Sequence, residues 1–301
     1  MNTPEEKTFA IVGAGIVGTA LAILLTGAGY VCAGVHSRSA ASLARFRSRL
    51  SAPALEPAAL AERAALIFVT TQDEYIAQAA AGLPVRPGQW RIHCSGSLPA
   101  AVLAPPAPTP GLRCLSLHPL QSLADIDQAL AILPGTHYGV EGDDAAAVDK
   151  GKELAVLLGG VPHRIEAGQK TLYHAGAVAA SNYLVALTAL AVRLFELAGI
   201  NGEEALASLL PLLSGSCRNI ARLGLPQALT GPIARGDAGV AAGHLERMPA
   251  DLRPLYRGLG RLALELGREK RERAGTPYPP AVWERLEIIL AEESPDGHHG
   301  V

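Results

Sequence analysis

The stretch from Lys7 to Arg38 constrains the fold more than any other part of this sequence. An apolar run, Thr8–Val12, leads into Gly13, Gly15 and Gly18 with the spacing G-x-G-x-x-G, and an apolar helical segment follows at once. Strand, glycines and helix in this order are the context in which the spacing indicates a dinucleotide-binding turn. Gly13 permits the tight turn, Gly15 lets the backbone approach a pyrophosphate, and Gly18 lets the helix pack closely on the strand.

The helix after the glycines supplies the second part of this prediction. Backbone N–H groups in its first turn have no helical carbonyl to pair with, and the positive end of the helix favours a phosphate. The alternative is a glycine-rich turn with no ligand. We predict a cofactor site whose first part is formed by Gly13, Gly15, Ile16, Val17 and Gly18.

The region after the second predicted strand indicates which dinucleotide binds. An NAD site usually carries an acidic residue about 20 positions after the glycines, on the ribose 2′-hydroxyl. This chain has no acidic residue between Glu6 and Glu56, and the strand runs instead into Ser37, Arg38 and Ser39. A guanidinium flanked by hydroxyls suits a 2′-phosphate. We therefore expect NADP, with these three residues around its 2′-phosphate.

Composition narrows the class of protein. The 301 residues are 49% hydrophobic, so a substantial core is available, and the formal net charge of −2 gives no electrostatic case for nucleic acid or an anionic membrane as partner. The four cysteines form no C-x-x-C pair, and a reducing cytoplasm is the expected compartment. We predict no metal site, since His298 and His299 belong to a polar tail.

Strand and helix signals alternate in the first half of the chain and give way to helices in the second. This order is typical of an α/β fold with a doubly wound, mostly parallel Rossmann sheet over residues 1–165. Residues 166–301 are predicted to form an all-helical domain for substrate binding and dimerisation. Within it, Gly168–Ala198 reads as one long apolar helix. A membrane span is the alternative, but no basic cluster flanks the segment, and burial by other helices and a partner subunit is favoured.

Ligands of open α/β sheets bind beyond the carboxyl ends of the strands. That rule selects Thr70 and Thr71 for the adenosine side of the cofactor and Ser95 for its nicotinamide side. It also selects Ser97 for the substrate and His118 as a neutral imidazole that holds a substrate carbonyl or carboxylate. For each residue the alternative is a turn or a helix cap.

A second set of candidates stands at the start of the long predicted helix. Helical geometry places Lys170, His174 and Ser181 on one face, with Asn182 near its edge. Hydride transfer to a carbonyl or imine needs a proton donor and a polarising group, and Lys170 and His174 suit these tasks. The alternative is a solvated lysine and an interface histidine. Asn182 is predicted to contact substrate.

The glycine- and proline-rich segment Leu229–Asp237 precedes another predicted helix. Its Arg235 suits a substrate carboxylate or phosphate, or it pairs with Asp237, which is also a candidate N-cap. His244 follows on the same helical face as Asp237. Interface structure is the alternative for all three.

Five segments together resemble a known family: Ile11–Gly18, His93–Ser97, Ser116–Gln121, Tyr173–Asn182 and Leu229–Asp237. They are similar to oxidoreductases that pair a Rossmann-like domain with domain of unknown function 2520. The resemblance implies a C-terminal domain like that of 6-phosphogluconate dehydrogenase, dimerisation through the helices and NADP binding. It does not identify a substrate.

Three functions follow from these observations. The first is an NADP-dependent oxidoreductase that acts on a small polar carbonyl, hydroxyl or imine compound. The second is a nucleotide-binding sensor or scaffold without turnover, since no constellation of residues here is diagnostic of one reaction. The third is a dehydrogenase of the prephenate or pyrroline-carboxylate type, for which His118-Pro119 is the one supporting feature.

Overall fold

A computed structural model describes residues 7–107, 109–166 and 168–291 of the chain. Contacts between residues divide the chain into two compact units, Met1–Leu184 and Val185–Val301. This division rests on contacts between residues, whereas the predicted domain boundary at residues 165/166 rests on where the strand signals end. The predicted boundary therefore stays a prediction. The tail with His298 and His299 lies outside the described residues.

The first unit is built on a seven-stranded sheet with the order β2-β1-β3-β4-β5-β6-β7. Its strands are β1 (Thr8–Val12), β2 (Val31–His36), β3 (Leu66–Val69), β4 (Trp90–His93), β5 (Arg113–Pro119), β6 (His137–Gly142) and β7 (Val161–Arg164). All neighbouring pairs are parallel except β5 and β6, which are antiparallel. The predicted fold, a mostly parallel doubly wound sheet, is confirmed.

Helices connect these strands. They are α1 (Ile16–Gly27), α2 (Ala40–Arg49), α3 (Pro57–Arg63), α4 (Asp73–Ala81), α5 (Ile126–Ile132) and α6 (Ala145–Leu157), followed by α7 (Lys170–Ala180). Two of these helices, α3 and α5, were not predicted from the sequence. Pro57 occupies the first turn of α3, where its missing N–H costs nothing, so the proline starts a helix rather than breaking one. Asp125 starts α5 by accepting a hydrogen bond from the Gln128 amide.

Hydrophobic side chains pack on both faces of the sheet. In β1 successive residues alternate, with Phe9 and Ile11 in one core cluster and Ala10 and Val12 in the other. This continuous apolar run is what a parallel strand covered on both faces requires. The carboxyl ends of β1, β3, β4 and β5 therefore remain as the edge at which polar residues can collect.

The second unit is helical throughout its described residues. It contains α8 (Asn182–Leu197, which begins in the first unit), α9 (Gly202–Leu223), α10 (Pro232–Arg235), α11 (Ala238–Arg247), α12 (Arg253–Arg273) and α13 (Pro280–Leu290). Its core gathers Ile233, Ala241, Leu264, Tyr278 and Leu286. The Tyr278 hydroxyl donates to the Ile233 carbonyl at 2.7 Å and so ties α10 to the segment before α13.

The prediction of one uninterrupted helix over Gly168–Ala198 is wrong. Ser181, with φ −115° and ψ −71°, separates α7 from α8. Burial by helices of the same chain is also wrong for α8, which has no buried residue; burial by a partner subunit stays a prediction. The run Lys170–Leu197 is the one described stretch long and apolar enough to cross a membrane, a criterion that helices of soluble proteins also meet.

Candidate active site

The glycine turn after β1 has the geometry that the spacing predicts. Gly13 adopts φ +108°, and a Cβ there would lie 2.7 Å from the Thr70 carbonyl carbon, so only glycine fits. A Cβ at Gly18 would lie 2.4 Å from both the Gly13 oxygen and the Thr70 hydroxyl. Thr70 in turn donates its hydroxyl to the Gly13 carbonyl at 2.7 Å. The threonine predicted to face adenosine thus also clamps the turn.

Gly15 differs from these two glycines because the space around it is open. A Cβ at Gly15 would meet nothing within 4 Å. Gly15 is the N-cap of α1, no side chain caps this helix end, and its first turn holds no acidic residue. The N–H groups at this end, those of Ile16 and Val17 included, therefore face a space that an anion can enter.

A cavity of about 540 Å³ opens beside this helix end. It is lined by Gly13, Gly15, Ser37, Arg38, Ser39, Thr70, Thr71 and Tyr75, among others. The structure thus brings the residues predicted for the two halves of the cofactor site to one place. The buried Thr71 hydroxyl has no hydrogen-bond partner among the described residues, which leaves it available to a ligand in this cavity.

Arg38 is already oriented within this cavity. Its guanidinium carbon lies 4.3 Å from the centroid of the Tyr75 ring, a cation–π contact. Ser39 caps α2 by accepting a hydrogen bond from the Ser42 amide at 3.2 Å, and the Ser37 hydroxyl accepts from the Ser39 amide at 3.3 Å. The two serines fix the backbone on either side of Arg38. These residues fit a phosphorylated ribose.

A second group of polar residues surrounds the Ser95-Gly96-Ser97 turn after β4. The Ser95 and Ser97 hydroxyls both donate to Asp73 Oδ2, at 2.7 and 2.8 Å. The Ser95 hydroxyl also accepts hydrogen bonds from the Ser97 and Leu98 amides, each at 3.1 Å. Ser95 is therefore occupied in holding the turn, and its predicted contact with the cofactor stays a prediction. Asp73 begins α4, next to the cavity-lining Thr71.

Lys170 is buried behind this turn and is only 3% exposed. Its Nζ donates to the Ser95 carbonyl at 2.8 Å and to the Ser116 hydroxyl. Burial lowers the pKa of Lys170 to about 8, although the charge of Glu141 favours the protonated form. An ammonium group whose pKa lies this close to neutrality can both hold and release a proton.

His93, at the end of β4, was not among the predicted site residues. Its Nδ1 accepts a hydrogen bond from the Ser95 amide at 3.1 Å, so its Nε2 carries the proton and donates to the Pro99 carbonyl at 3.2 Å. Burial, together with the charge of Lys170, lowers its pKa to about 4. His93 is thus a neutral imidazole that braces both ends of the turn.

His118 and His174 meet above Gly96. Their ring centroids are 6.4 Å apart, and a Cβ at Gly96 would lie 2.8 Å from His118 Nε2 and from His174 Cδ2. The glycine therefore allows both imidazoles to approach the backbone. Burial, assisted by the charge of Lys170, lowers the pKa of His118 to about 4, so this ring is neutral at pH 7. The three predicted catalytic residues, Lys170, His174 and His118, converge on one turn.

The remaining candidates lie elsewhere. Asn182 is exposed at the first position of α8, beyond the break at Ser181 that ends the predicted common face. In the second unit, Arg235 Nε donates to Asp237 Oδ2 at 2.9 Å. Asp237 occupies the N-cap position of α11, but its side chain caps no helix N–H. The predicted substrate contacts of Asn182, Ser97 and Arg235 stay predictions.

Sequence reasoning missed Asp73, Tyr75 and Tyr173, and each had a signal. Asp73 and Tyr75 lie in the first turn of α4, four and six residues after the carboxyl end of β3, the edge at which ligands are expected. Tyr173 precedes His174, and its hydroxyl lies 2.9 Å from His118 Nδ1. No group of three potential metal ligands occurs among the residues that the structure describes.

The sheet order, the glycine turn and the cavity at the carboxyl edge define an α/β domain of the Rossmann type. The comparisons with known families agree, since residues 3–119 match the family model of the Rossmann-like domain. Residues 136–263 match the domain of unknown function DUF2520. The chain thus carries a Rossmann-like domain followed by a DUF2520 domain, which confirms the resemblance seen in the sequence.

Solved structures share this architecture over nearly the whole chain. Protein TM1727 from Thermotoga maritima is 25% identical, with a TM-score of 0.71 over 87% of this chain and 99% of its own. The reductive aminase from Aspergillus terreus, solved with NADPH and ethyl levulinate, is 19% identical, with a TM-score of 0.56 over 93% and 98%. Pyrroline carboxylate reductase from Plasmodium falciparum, solved with NADP, is 12% identical, with a TM-score of 0.57 over 95% and 99%. The fold is therefore that of NAD(P)-dependent oxidoreductases. A search of curated proteins finds no match.

Proposed function

We propose that the protein is an NADP-dependent oxidoreductase that transfers a hydride to or from a small polar carbonyl, hydroxyl or imine compound. The observation that carries this proposal is the position of two sites at one sheet edge. The nucleotide cavity lies at the carboxyl ends of β1 and β3, and the imidazole pair lies at those of β4 and β5. Asp73 joins them, because it begins α4 beside the cavity and binds the turn under the imidazoles.

His118, His174 and Lys170 are assigned separate roles in such a reaction. The nicotinamide cofactor supplies or accepts the hydride when it is bound. His118 and His174 are placed to bind the oxygen or nitrogen of the substrate, since both imidazoles cover the turn at Gly96. A neutral His118 carries a single N–H, which can donate a hydrogen bond to a carbonyl oxygen, a hydroxyl oxygen or an imine nitrogen. Lys170 holds a proton directly behind the turn.

The preference for NADP rests on Arg38. The cavity has a guanidinium at the position where an NAD site usually carries a carboxylate. Its contact with Tyr75 leaves the edge of the guanidinium free for phosphate oxygens. We therefore propose that NADPH binds more tightly than NADH.

A homodimer in the cytoplasm is the proposed working form. Within the run Lys170–Leu197, an 18-residue window has a mean hydropathy of 1.7, yet only 6% of this window is buried. On α9, Leu210 and Leu212 are 52% and 65% exposed. Exposed apolar area of this extent on helices that are consecutive in the sequence is typical of a surface that a second copy covers. The four free cysteines fit a reducing compartment.

Parallel fluorescence titrations of the protein with NADPH and NADH test the cofactor site. We expect micromolar NADPH binding and at least tenfold weaker NADH binding. Gly15→Ala places a methyl group in the open space at the helix end and is expected to weaken NADPH binding tenfold or more without lowering Tm. Gly27→Ala, in the same helix and equally open, is the matched control and should bind normally. Equal or absent binding of both nucleotides would contradict the proposal.

Turnover is tested by oxidation of NADPH in the presence of a panel of small carbonyl and imine compounds, a pyrroline carboxylate among them. We expect His118→Ala and Lys170→Ala to lower kcat while NADPH binding persists. If cofactor binds and no compound is reduced or oxidised, the sensor or scaffold function is favoured. If turnover is found and neither substitution changes it, the assigned catalytic roles are wrong.

A further inference from the structure

Tyr173 contacts the Nδ1 atom of His118, and this contact determines the hydrogen-bonding role of the other ring nitrogen, Nε2. The Tyr173 hydroxyl lies 2.9 Å from His118 Nδ1, and the two rings meet edge to face at 5.6 Å. A neutral imidazole has one N–H donor and one lone pair, and the partner of one nitrogen determines the role of the other. The contact with Tyr173 therefore controls whether His118 Nε2 is a donor or an acceptor.

The place of the Tyr173 hydroxyl is built into the sheet. Gly139 of β6 lies directly opposite His118 of β5 in the antiparallel register. A Cβ at Gly139 would lie 2.7 Å from the Tyr173 hydroxyl oxygen and 2.9 Å from Cζ of its ring. The phenol thus occupies the space that the missing side chain leaves. Glycine at this strand position and tyrosine in α7 together set the contact with His118.

The direction of the hydrogen bond follows from the two groups. A phenol is a good donor, and the lone pair of an imidazole nitrogen is a strong acceptor. Burial raises the pKa of Tyr173 to about 12, so its proton remains in place at neutral pH. If Tyr173 donates to Nδ1, the single proton of neutral His118 is on Nε2. No hydrogen-bond partner for Nε2 occurs among the described residues, and this nitrogen lies over Gly96 beside His174.

We propose that Tyr173 is a positioning residue that holds His118 in the Nε2–H tautomer and so presents a hydrogen-bond donor above Gly96. This inference rests on the proposed function, because it gives His118 the role of donor to the carbonyl oxygen or imine nitrogen of the substrate. His93 shows the same device one strand away, where the Ser95 amide occupies Nδ1 and Nε2 carries the proton. The two imidazoles then differ in target: Nε2 of His93 binds the Pro99 carbonyl, whereas Nε2 of His118 is open to a ligand.

Long-range proton–nitrogen NMR of ¹⁵N-histidine-labelled protein at pH 7.5, without cofactor, tests the tautomer directly. We expect His118 to show a protonated Nε2 and an unprotonated Nδ1. Tyr173→Phe should convert this signal into a mixture of tautomers and raise the pKa of His118, because the neutral ring loses its donor. Tyr138→Phe, which removes a buried hydroxyl from β6 that contacts the Leu133 carbonyl at 3.5 Å, is the matched control and should change neither.

The wild-type spectrum alone can overturn the proposal. A protonated Nδ1 in His118 would mean that the imidazole donates to Tyr173 and that Nε2 is an acceptor. Unchanged tautomer and pKa in Tyr173→Phe would also contradict it. Gly139→Ala gives a second test, since its methyl group displaces the phenol while the hydroxyl remains, and it should reproduce the effect of Tyr173→Phe. These spectra need no cofactor. Failure of NADPH binding would therefore contradict the proposed function without affecting the measurement of the His118 tautomer.

Discussion

The two units differ in which side chains they bury: the first unit buries basic residues, whereas the second exposes leucines. In the first unit Arg91, His93 and Lys170 are at most 3% exposed, although such residues are normally at the surface. In the second unit Leu197 and Leu212 are more than 60% exposed, although leucine is normally inside. Arg91 and Lys170 nevertheless donate hydrogen bonds to backbone carbonyls and the His93 imidazole is neutral, although Arg91 Nε has no partner within the described chain. The exposed leucines of the second unit form part of the apolar surface that the proposed homodimer covers.

The largest effect should come from removing the most buried cation. The Arg91 guanidinium donates to the carbonyls of Ala80, Leu83, Leu103 and Pro84, at 2.8 to 3.4 Å. Arg91→Met leaves these oxygens unpaired, and we expect a loss of about 3–5 kcal/mol in the free energy of unfolding. Urea unfolding measures it, with the exposed Arg47→Met as the control. A loss below about 1 kcal/mol would show that water reaches these carbonyls.

Lys170 should make stability depend on pH, because burial disfavours the protonated form of its side chain. The unfolded chain keeps the Lys170 proton up to pH 10.5, whereas the folded chain releases it near a pKa of about 8. The wild-type protein should therefore gain up to about 3 kcal/mol of stability relative to Lys170→Met as the pH rises from 8 to 10.5. Below pH 8 the variant should be at least as stable, since Ser116 can still donate to the Ser95 carbonyl at 3.1 Å. Parallel stability curves of the two proteins would exclude a lowered pKa.

The exposed leucines of the second unit should matter for association and not for folding. We expect Leu212→Glu to change the stability of the isolated chain by less than about 0.5 kcal/mol. The same substitution should weaken self-association at least tenfold, as measured by sedimentation velocity. Val156→Glu, at an equally exposed position on α6, is the control and should associate normally. If wild type is a monomer that binds lipid vesicles, the membrane alternative replaces the dimer.

The smallest effect is expected at the cofactor cavity. Tyr75→Leu removes the ring that holds Arg38 in place, so the phosphate must then immobilise a mobile arginine, at a cost of about 1 kcal/mol. NADPH affinity should fall about fivefold, while NADH affinity changes little, because NADH lacks the phosphate that Arg38 is proposed to bind. Tyr75→Phe keeps the ring and should bind both nucleotides as wild type does. An equal loss for both nucleotides would place Tyr75 against a part that the two cofactors share.

Local sequence patterns were sufficient for most of the fold. The apolar run Thr8–Val12 forms β1 with these bounds, and the apolar segment after the glycines forms α1, because hydrophobic runs and helix starts are local signals. The direction of β6 depends on its partner β5, and no local pattern encodes that pairing. The break at Ser181 was missed because no proline lies near it and because Gly176, five residues earlier, is accommodated within α7.

The sequence was sufficient to select most residues of the candidate site, but not to predict the contacts between them. The rule about strand ends selected Ser95 and His118, and helical spacing selected Lys170 and His174. That all four converge on the Gly96 turn depends on how α7 packs against the sheet, which is a tertiary property. Asp73 and Tyr173 lie close to predicted site residues in the sequence, but their contacts with Ser95 and His118 depend on tertiary packing.

The stacking of Arg38 on Tyr75 has a consequence for how a nucleotide is recognised. An arginine that moves freely in water gives up as much as about 2 kcal/mol of rotamer entropy when a ligand immobilises it. Arg38 is held in the cavity before any ligand arrives, so this ordering belongs to folding and not to binding. If NADP binds as proposed, its 2′-phosphate meets a preorganised receptor, and selectivity between the two dinucleotides depends on an arginine that folding has already positioned.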